Sequence, residues 1–474
     1  MHYVLHKPLL LLSSLGPMNK NLLETTIEAP AMALDKGIES GRRISAAMPN
    51  TGRNSVKKVK NYWYLLGPGL TTGASDDDPS GIATYSQAGA QYGFGLLWMA
   101  FFTFPLMAVI QEMCARIGLV TGRGLAGNIR AHFGKKVLYI STFALFAANT
   151  FNIGADIGAM AGAVQLLRPH TNFTLIVFVF TFFIILMQVL TPYAKYAKYL
   201  KWLALILLSY ILAAILAKPN WGIVIHQSFI PKITFDKQQI LLICAILGTT
   251  ITPYLFFWQT SQEIEEEIAD GKTTIKLRSG SDPVELKKMR IDVWSGMFLS
   301  NMVMFFIIAA CATVLFSHGI TNIATASDAA KALQPFAGNN AVYLFAIGIL
   351  GVGLLAIPVM AGSSAYAISE SLGKRQGLNN KLKQAYSFYG VIIISMLFGL
   401  GLNFIGLQPI KALIYAAVLN GIVAPIIIVL ILLIARNQKV MGEWKNGRAS
   451  SAIGWFLAFI MALAGIAAVY SLFS

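Results

Sequence analysis

The chain is 474 residues long, 56% hydrophobic and only 12% charged, with a mean hydropathy of +0.63. Soluble domains carry about 25% charged residues, so a water-soluble globular protein is excluded and a polytopic helical membrane protein remains. The net charge of +16 comes from 37 Lys and Arg against 21 Asp and Glu. On a soluble chain such an excess suggests nucleic acid; on a membrane protein it reports the loop charges that set orientation.

Residues 1–58 are polar, basic and rich in Ser, Gly, Pro and Asn, and we expect a disordered cytoplasmic tail. The apolar run near residues 8–16 resembles a signal-peptide core but is too short to span, and no cleavage site follows it. Crossing about 30 Å of hydrocarbon at 1.5 Å per residue takes roughly 20 apolar residues. Eleven candidates follow, near 63–90, 94–118, 137–167, 171–190, 199–217, 238–262, 292–317, 340–371, 386–405, 408–435 and 452–473. They are too long, and alternate too little, for β-barrel strands. When loops are assigned alternately from a cytoplasmic N-terminus, only Arg168, Lys218, Lys232, Lys237, Lys331 and Lys411 fall outside. The other 31 of the 37 basic residues fall inside. A missed span would invert every later loop, so this asymmetry supports eleven spans, an inside N-terminus and an outside C-terminus. Cys114, Cys244 and Cys311 fall far apart within spans and read as buried, inert thiols.

Two spans break where a membrane helix should be continuous. In the first, Asp78-Pro79-Ser80-Gly81 interrupts GPGLTTGASDDDPSGIATYSQAGAQYG, residues 67–93. Pro79 removes a backbone donor and clashes with the preceding turn. Gly81 weakens the helix, and Asp78 places a carboxylate at a depth where charge is costly. In the sixth, Thr252-Pro253-Tyr254 interrupts ILGTTITPYLFFWQ, residues 246–259, releasing carbonyls near Thr249 beside the Thr252 hydroxyl. Unwound backbone at this depth is tolerated only where it lines a cavity or binds something. The breaks lie five spans apart, an odd number, so halves 1–5 and 6–10 run in opposite directions. Matched breaks in inverted halves point to a midplane site, and unwound carbonyls suit a cation. The expected organisation is a first repeat over 59–217, a second over 218–436, and a loop with an eleventh helix over 437–474.

The stretch DPSGIATYSQAGAQYGFGLLW (78–98) resembles the first-helix signature of the Nramp metal-ion transporters, DPGN followed by IAT and QAGAQ. GTTITPYLFFWQ (248–259) stands where that family carries A-x-x-M-P-H. The resemblance implies the leucine-transporter fold, a 5+5 inverted repeat with an eleventh helix, and import of divalent metal ions. It also implies metal contacts at Asp78, Gly81, Thr249 and Thr252. The departures carry information. The family's asparagine is replaced by Gly81, its carbonyl-donating alanine by Thr249, its methionine by Thr252 and the histidine after the proline by Tyr254. Losing the soft sulfur leaves an all-oxygen site with room for water, which suits hard Mg²⁺ and resembles the Nramp-related magnesium transporters. Mn²⁺ is the second expected cargo. In the third span the family's acidic pair is reduced to Asp156, with Ile153 at the other position. A tyrosine titrates near pH 10, so Tyr254 cannot relay protons as a histidine does; transport without protons is expected.

Other residues are expected to line the site or the ion path: Ser80, Asp77 at an outer vestibule, Asp156, and Asn420 in the tenth span, where a helix–helix hydrogen bond is the simpler role. Glu112 is expected to pair with Arg116 at i+4. Glu263, Glu265, Glu266 and Glu267 read as a solvated helix end. The histidines lie outside the spans, and no H-E-x-x-H or G-x-S-x-G motif appears, so an enzyme is not expected. The rivals are a proton-coupled Mn²⁺/Fe²⁺ symporter and an organic-solute transporter of the same fold. No cofactor or nucleic-acid partner is expected, and the chain reads as a monomer in a bacterial inner membrane.

Overall fold

A computed structural model describes residues 66–191, 208–234, 236–323, 326–331 and 338–473. The tail expected over 1–58 and residues 199–207 of the span near 199–217 lie outside these residues. Eight helices among the described residues are long and apolar enough to cross a membrane. The first span falls below that length because it is two half-helices, α1 (Pro68–Asp76) and α2 (Pro79–Tyr92). The main helices that follow are α3 (Trp98–Thr121), α4 (Leu125–His132), α5 (Lys135–Leu167), α6 (Phe173–Leu190), α7 (Leu208–Leu216) and α8 (Trp221–Phe229). Next come α9 (Lys237–Thr250), α10 (Pro253–Ala269), α11 (Pro283–Val314), α12 (Ala341–Leu372), α13 (Tyr386–Leu402), α14 (Pro409–Arg436) and α15 (Arg448–Phe473).

Helix starts follow local chemistry. Pro stands in the first turn of α1, α2, α10, α11 and α14, where its missing N–H costs nothing. Asn172, Asn220, Asp236 and Asp282 cap α6, α8, α9 and α11 with their side-chain oxygens. Outward faces stay apolar: Leu175, Val179, Phe182, Phe183, Leu186 and Leu190 of α6 are exposed, as are Phe456, Phe459, Leu463, Ile466 and Tyr470 of α15. In water such stripes would be a liability; against lipid they are the expected surface.

Small residues set the inner contacts, as they do where packing rather than hydrophobicity holds helices together. A Cβ on Gly69 of α1 would meet the Val293 nitrogen of α11 at 2.5 Å. One on Gly421 of α14 would meet the Cys244 carbonyl of α9 at 2.7 Å. These two approaches fix the half-helices that end at the two breaks.

Buried carboxylates tie the rest. Asp292 of α11 accepts the N–H groups of Gly67, Gly69 and Leu70 at 2.8, 2.6 and 3.1 Å, satisfying the start of α1. Glu370 of α12 accepts from the N–H groups of Gly124 and Gly127 at 2.9 and 2.8 Å, holding α4. Glu265 of α10 accepts from the Tyr366 hydroxyl at 2.7 Å and the Leu378 N–H at 3.0 Å. The solvated helix end expected over residues 263–267 is therefore corrected in part: Glu263, Glu265 and Glu267 are buried, and Glu266 is exposed as expected. Glu265 in particular stitches α10 to α12 and to the loop beyond it. Glu112 pairs with Arg116 at 3.4 Å as expected, and also with Arg290 at 2.9 Å and the Trp294 indole at 2.8 Å. The three cysteines are free and buried.

Candidate ion site

Both breaks form as the sequence predicts. α1 stops at Asp76, Asp77 leaves helical geometry, and Asp78 is extended (φ −68°, ψ 173°) before α2 begins at Pro79. α9 stops at Thr250, Ile251 and Thr252 run non-helical, and α10 begins at Pro253. Each break leaves the last carbonyls of one half-helix without intrahelical partners, where the helix dipole is negative.

The two breaks meet. Ser80 Oγ lies 3.5 Å from Thr249 Oγ1 across them. A Cβ on Gly81 would sit 3.2 Å from Thr249 Oγ1 and 3.4 Å from the Asp76 carbonyl oxygen. The absence of a side chain at 81 thus lets the Thr249 hydroxyl and the end of α1 close in. The room for water expected beside Gly81 is taken on this side by Thr249 and Tyr85.

Asp78 stands at the centre, 1% exposed. Its Oδ1 accepts from the Ser80 hydroxyl at 2.6 Å and the Gly81 N–H at 2.7 Å, as an N-cap of α2. Its Oδ2 accepts from Asn152 Nδ2 of α5 at 2.7 Å. That same nitrogen lies 2.9 Å from the Met360 sulfur of α12. Sequence reading missed both Asn152 and Met360. Asn152 precedes Asp156 by one helical turn, the only hint of a shared face. Met360 sits in a run with no polar signal at all.

Several oxygens around the breaks are buried without a hydrogen-bond partner: both of Asp77, both of Asp156, Asn152 Oδ1, Thr252 Oγ1 and Asn420 Oδ1. Buried polar atoms are nearly always paired, so these oxygens are available to a bound ion or to water. Asp77 is fully buried here rather than at a wet vestibule. The unpartnered Oδ1 of Asn420 does not make the helix–helix bond expected of it. Tyr254 is a strap: its hydroxyl donates to the Ser75 carbonyl of α1 at 2.7 Å, and its own carbonyl accepts from Ser363 of α12 at 2.7 Å. Asp76 accepts from the Ser300 hydroxyl of α11 at 2.6 Å. Ile153 is buried against Gly399 of α13, in apolar surroundings. Among the described residues no three His, Cys, Asp or Glu side chains form a metal-holding group; Asp78 is the carboxylate that the two breaks bring beside Ser80, Asn152 and Thr249.

Half-helices broken at Asp78 and Pro253, meeting inside an all-helical bundle with lipid-facing outer stripes, define a transporter of the leucine-transporter fold. Solved structures agree on the fold. A manganese transporter of Eremococcus coleocola, crystallised with an aromatic bis-isothiourea substituted compound, superposes with a TM-score of 0.68 at 19% identity, covering 86% of each chain. The nucleobase-cation-symport-1 family transporter Mhp1 superposes with a TM-score of 0.55 at 16% identity, over 85% of this chain and 91% of that one. The chain belongs to the Nramp family, described as natural resistance-associated macrophage protein-like, whose pattern matches residues 69–471. It is 26% identical over 419 residues to the divalent metal cation transporter MntH of Caldanaerobacter subterraneus subsp. tengcongensis, covering 86% of this chain and 93% of that protein. It is 25% identical to the MntH of Klebsiella pneumoniae subsp. pneumoniae, over 90% of this chain and 98% of that one.

Proposed function

We propose that this protein imports divalent metal cations by alternating access, with Mg²⁺ as its principal cargo, Mn²⁺ also accepted, and no coupled proton. The observation that carries the reading is the meeting of the two helix breaks around buried Asp78, ringed by unpartnered oxygens. Carboxylate, hydroxyl and carbonyl oxygens together are a hard donor set, which suits an ion that keeps part of its water shell. Asp78, Gly81, Thr249 and Thr252 would contact the ion, with Ser80, Asp77, Asp156, Tyr254 and Asn420 lining its path. Pro79 and Pro253 hold the helices open.

The absence of proton coupling is supported by Tyr254, whose hydroxyl is committed to the Ser75 carbonyl, and by apolar Ile153. An inside-negative potential supplies the drive: about 2.3 kcal/mol per charge per 100 mV, hence about 4.6 for a divalent ion. The relatives named as divalent metal cation transporters support the cargo class, and their bacterial sources support an inner-membrane location. The lopsided basic residues support a cytoplasmic N-terminus and an outside C-terminus, with residues 59–217 and 218–436 as inverted repeats and a monomer as the working unit.

Uptake into proteoliposomes of Mg²⁺, Mn²⁺, Ca²⁺ and radiolabelled amino acids, wild type beside Asp78→Ala, tests the reading. We expect Mg²⁺ and Mn²⁺ flux that Asp78→Ala abolishes, and no amino-acid flux. Strong Mn²⁺ flux without Mg²⁺ flux would reject the choice of cargo.

A further inference from the structure

We propose that Asn152 and Met360 complete the ion site, supplying an amide oxygen and a thioether sulfur beside Asp78. This deepens the reading above and rests on it. The Asn152 amide nitrogen donates to Asp78 Oδ2 at 2.7 Å and to Met360 Sδ at 2.9 Å. A carboxylate and a thioether therefore converge on one point between α2, α5 and α12. The amide's other end, Asn152 Oδ1, is buried and has no partner. An amide nitrogen and oxygen are nearly the same size, and half a turn about the last side-chain bond exchanges them. In one orientation the NH₂ group satisfies two acceptors and leaves an orphan oxygen. In the other, oxygen faces carboxylate and sulfur, an arrangement repulsive by itself and favourable once a cation stands among the three. Asn152 thus acts as a plug that turns into a ligand.

Met360 is held for this task. Its carbonyl accepts from Asn149 Nδ2 at 3.1 Å. Two residues earlier, Pro358 interrupts the α12 ladder, and its carbonyl accepts from Gln188 of α6 at 2.8 Å. Asn149, Asn152, Gln188 and Met360 are all buried. A thioether favours softer transition-metal ions, whereas Mg²⁺ draws on oxygen alone. Met360 is accordingly the residue that admits Mn²⁺ to a site otherwise built from oxygen.

The test uses the full-length protein with Cd²⁺ as a soft probe. X-ray absorption at the cadmium edge should show a sulfur neighbour in the wild type and none in Met360→Leu. Transport assays should show the apparent Mn²⁺ affinity of Met360→Leu falling about tenfold further than its Mg²⁺ affinity, the lower end of what metal-site partners contribute. Asn152→Leu should weaken both ions at least about tenfold. Leucine conserves the volume of methionine, so Met360→Leu should fold, and the wild-type spectrum stands whatever the variants do. Flux of both ions with no sulfur neighbour, or an equal loss of both ions in Met360→Leu, overturns the assignment alone. A wild type that binds neither Mg²⁺ nor Mn²⁺ overturns the underlying reading with it.

Discussion

Replacing Asp78 by Asn tests the ion site with the smallest change of shape. The variant keeps an oxygen for the Ser80 hydroxyl and the Gly81 N–H, so the cap of α2 survives. It loses the charge and sets one NH₂ group against another, because Asn152 Nδ2 also points there. Two unit charges 4 Å apart interact by about 4 kcal/mol at an effective dielectric constant of 20, and a divalent ion doubles that. Half of the doubled figure, about 4 kcal/mol, already weakens binding about a thousandfold. Folding should suffer little, since removing a buried charge offsets the loss of one hydrogen bond worth about 1 kcal/mol. Calorimetric titration with Mn²⁺ reads the affinity, and a thermal melt of the same preparation reads the fold. Binding within tenfold of wild type, in a well-folded variant, would refute the placement of the ion at Asp78.

Three further outcomes follow from other contacts. Tyr254→Phe removes the strap to the Ser75 carbonyl, a bond worth about 1 kcal/mol, and should weaken apparent affinity roughly fivefold in concentration-dependent uptake. Asp292→Ala strips the partners from three N–H groups at the start of α1 and should lower stability by about 3 kcal/mol, read as an earlier thermal transition with reduced transport. Thr252→Met brings a soft donor to the second break, and competition uptake should shift toward Mn²⁺ over Mg²⁺.

Much of the scaffold was readable because membrane constraints are strong. Apolar runs of fixed length gave the spans, and Asp78-Pro79 and Thr252-Pro253 placed both breaks to within a few residues. Contacts between spans were a different matter. Asn149, Asn152 and Asp156 share one face of α5, but their spacing does not say which helix they meet, and Met360 lies in an apolar stretch of α12. Glu265 looked solvated because charge at a helix end usually is. Its burial depends on Tyr366 and Leu378, more than a hundred residues away. Gly81 read as a lost ligand; in three dimensions the space where its side chain would stand is bordered by the Thr249 hydroxyl and the Asp76 carbonyl.

The central claim is uptake of a divalent cation driven by voltage without protons. Proteoliposomes holding a potassium diffusion potential, with Mg²⁺ and pH indicators inside, read both halves of it at once. The account predicts Mg²⁺ entry that rises steeply with inside-negative voltage, at about 4.6 kcal/mol of drive per 100 mV, while internal pH stays constant. Internal acidification in step with Mg²⁺ entry, or no Mg²⁺ entry at any voltage, would contradict it.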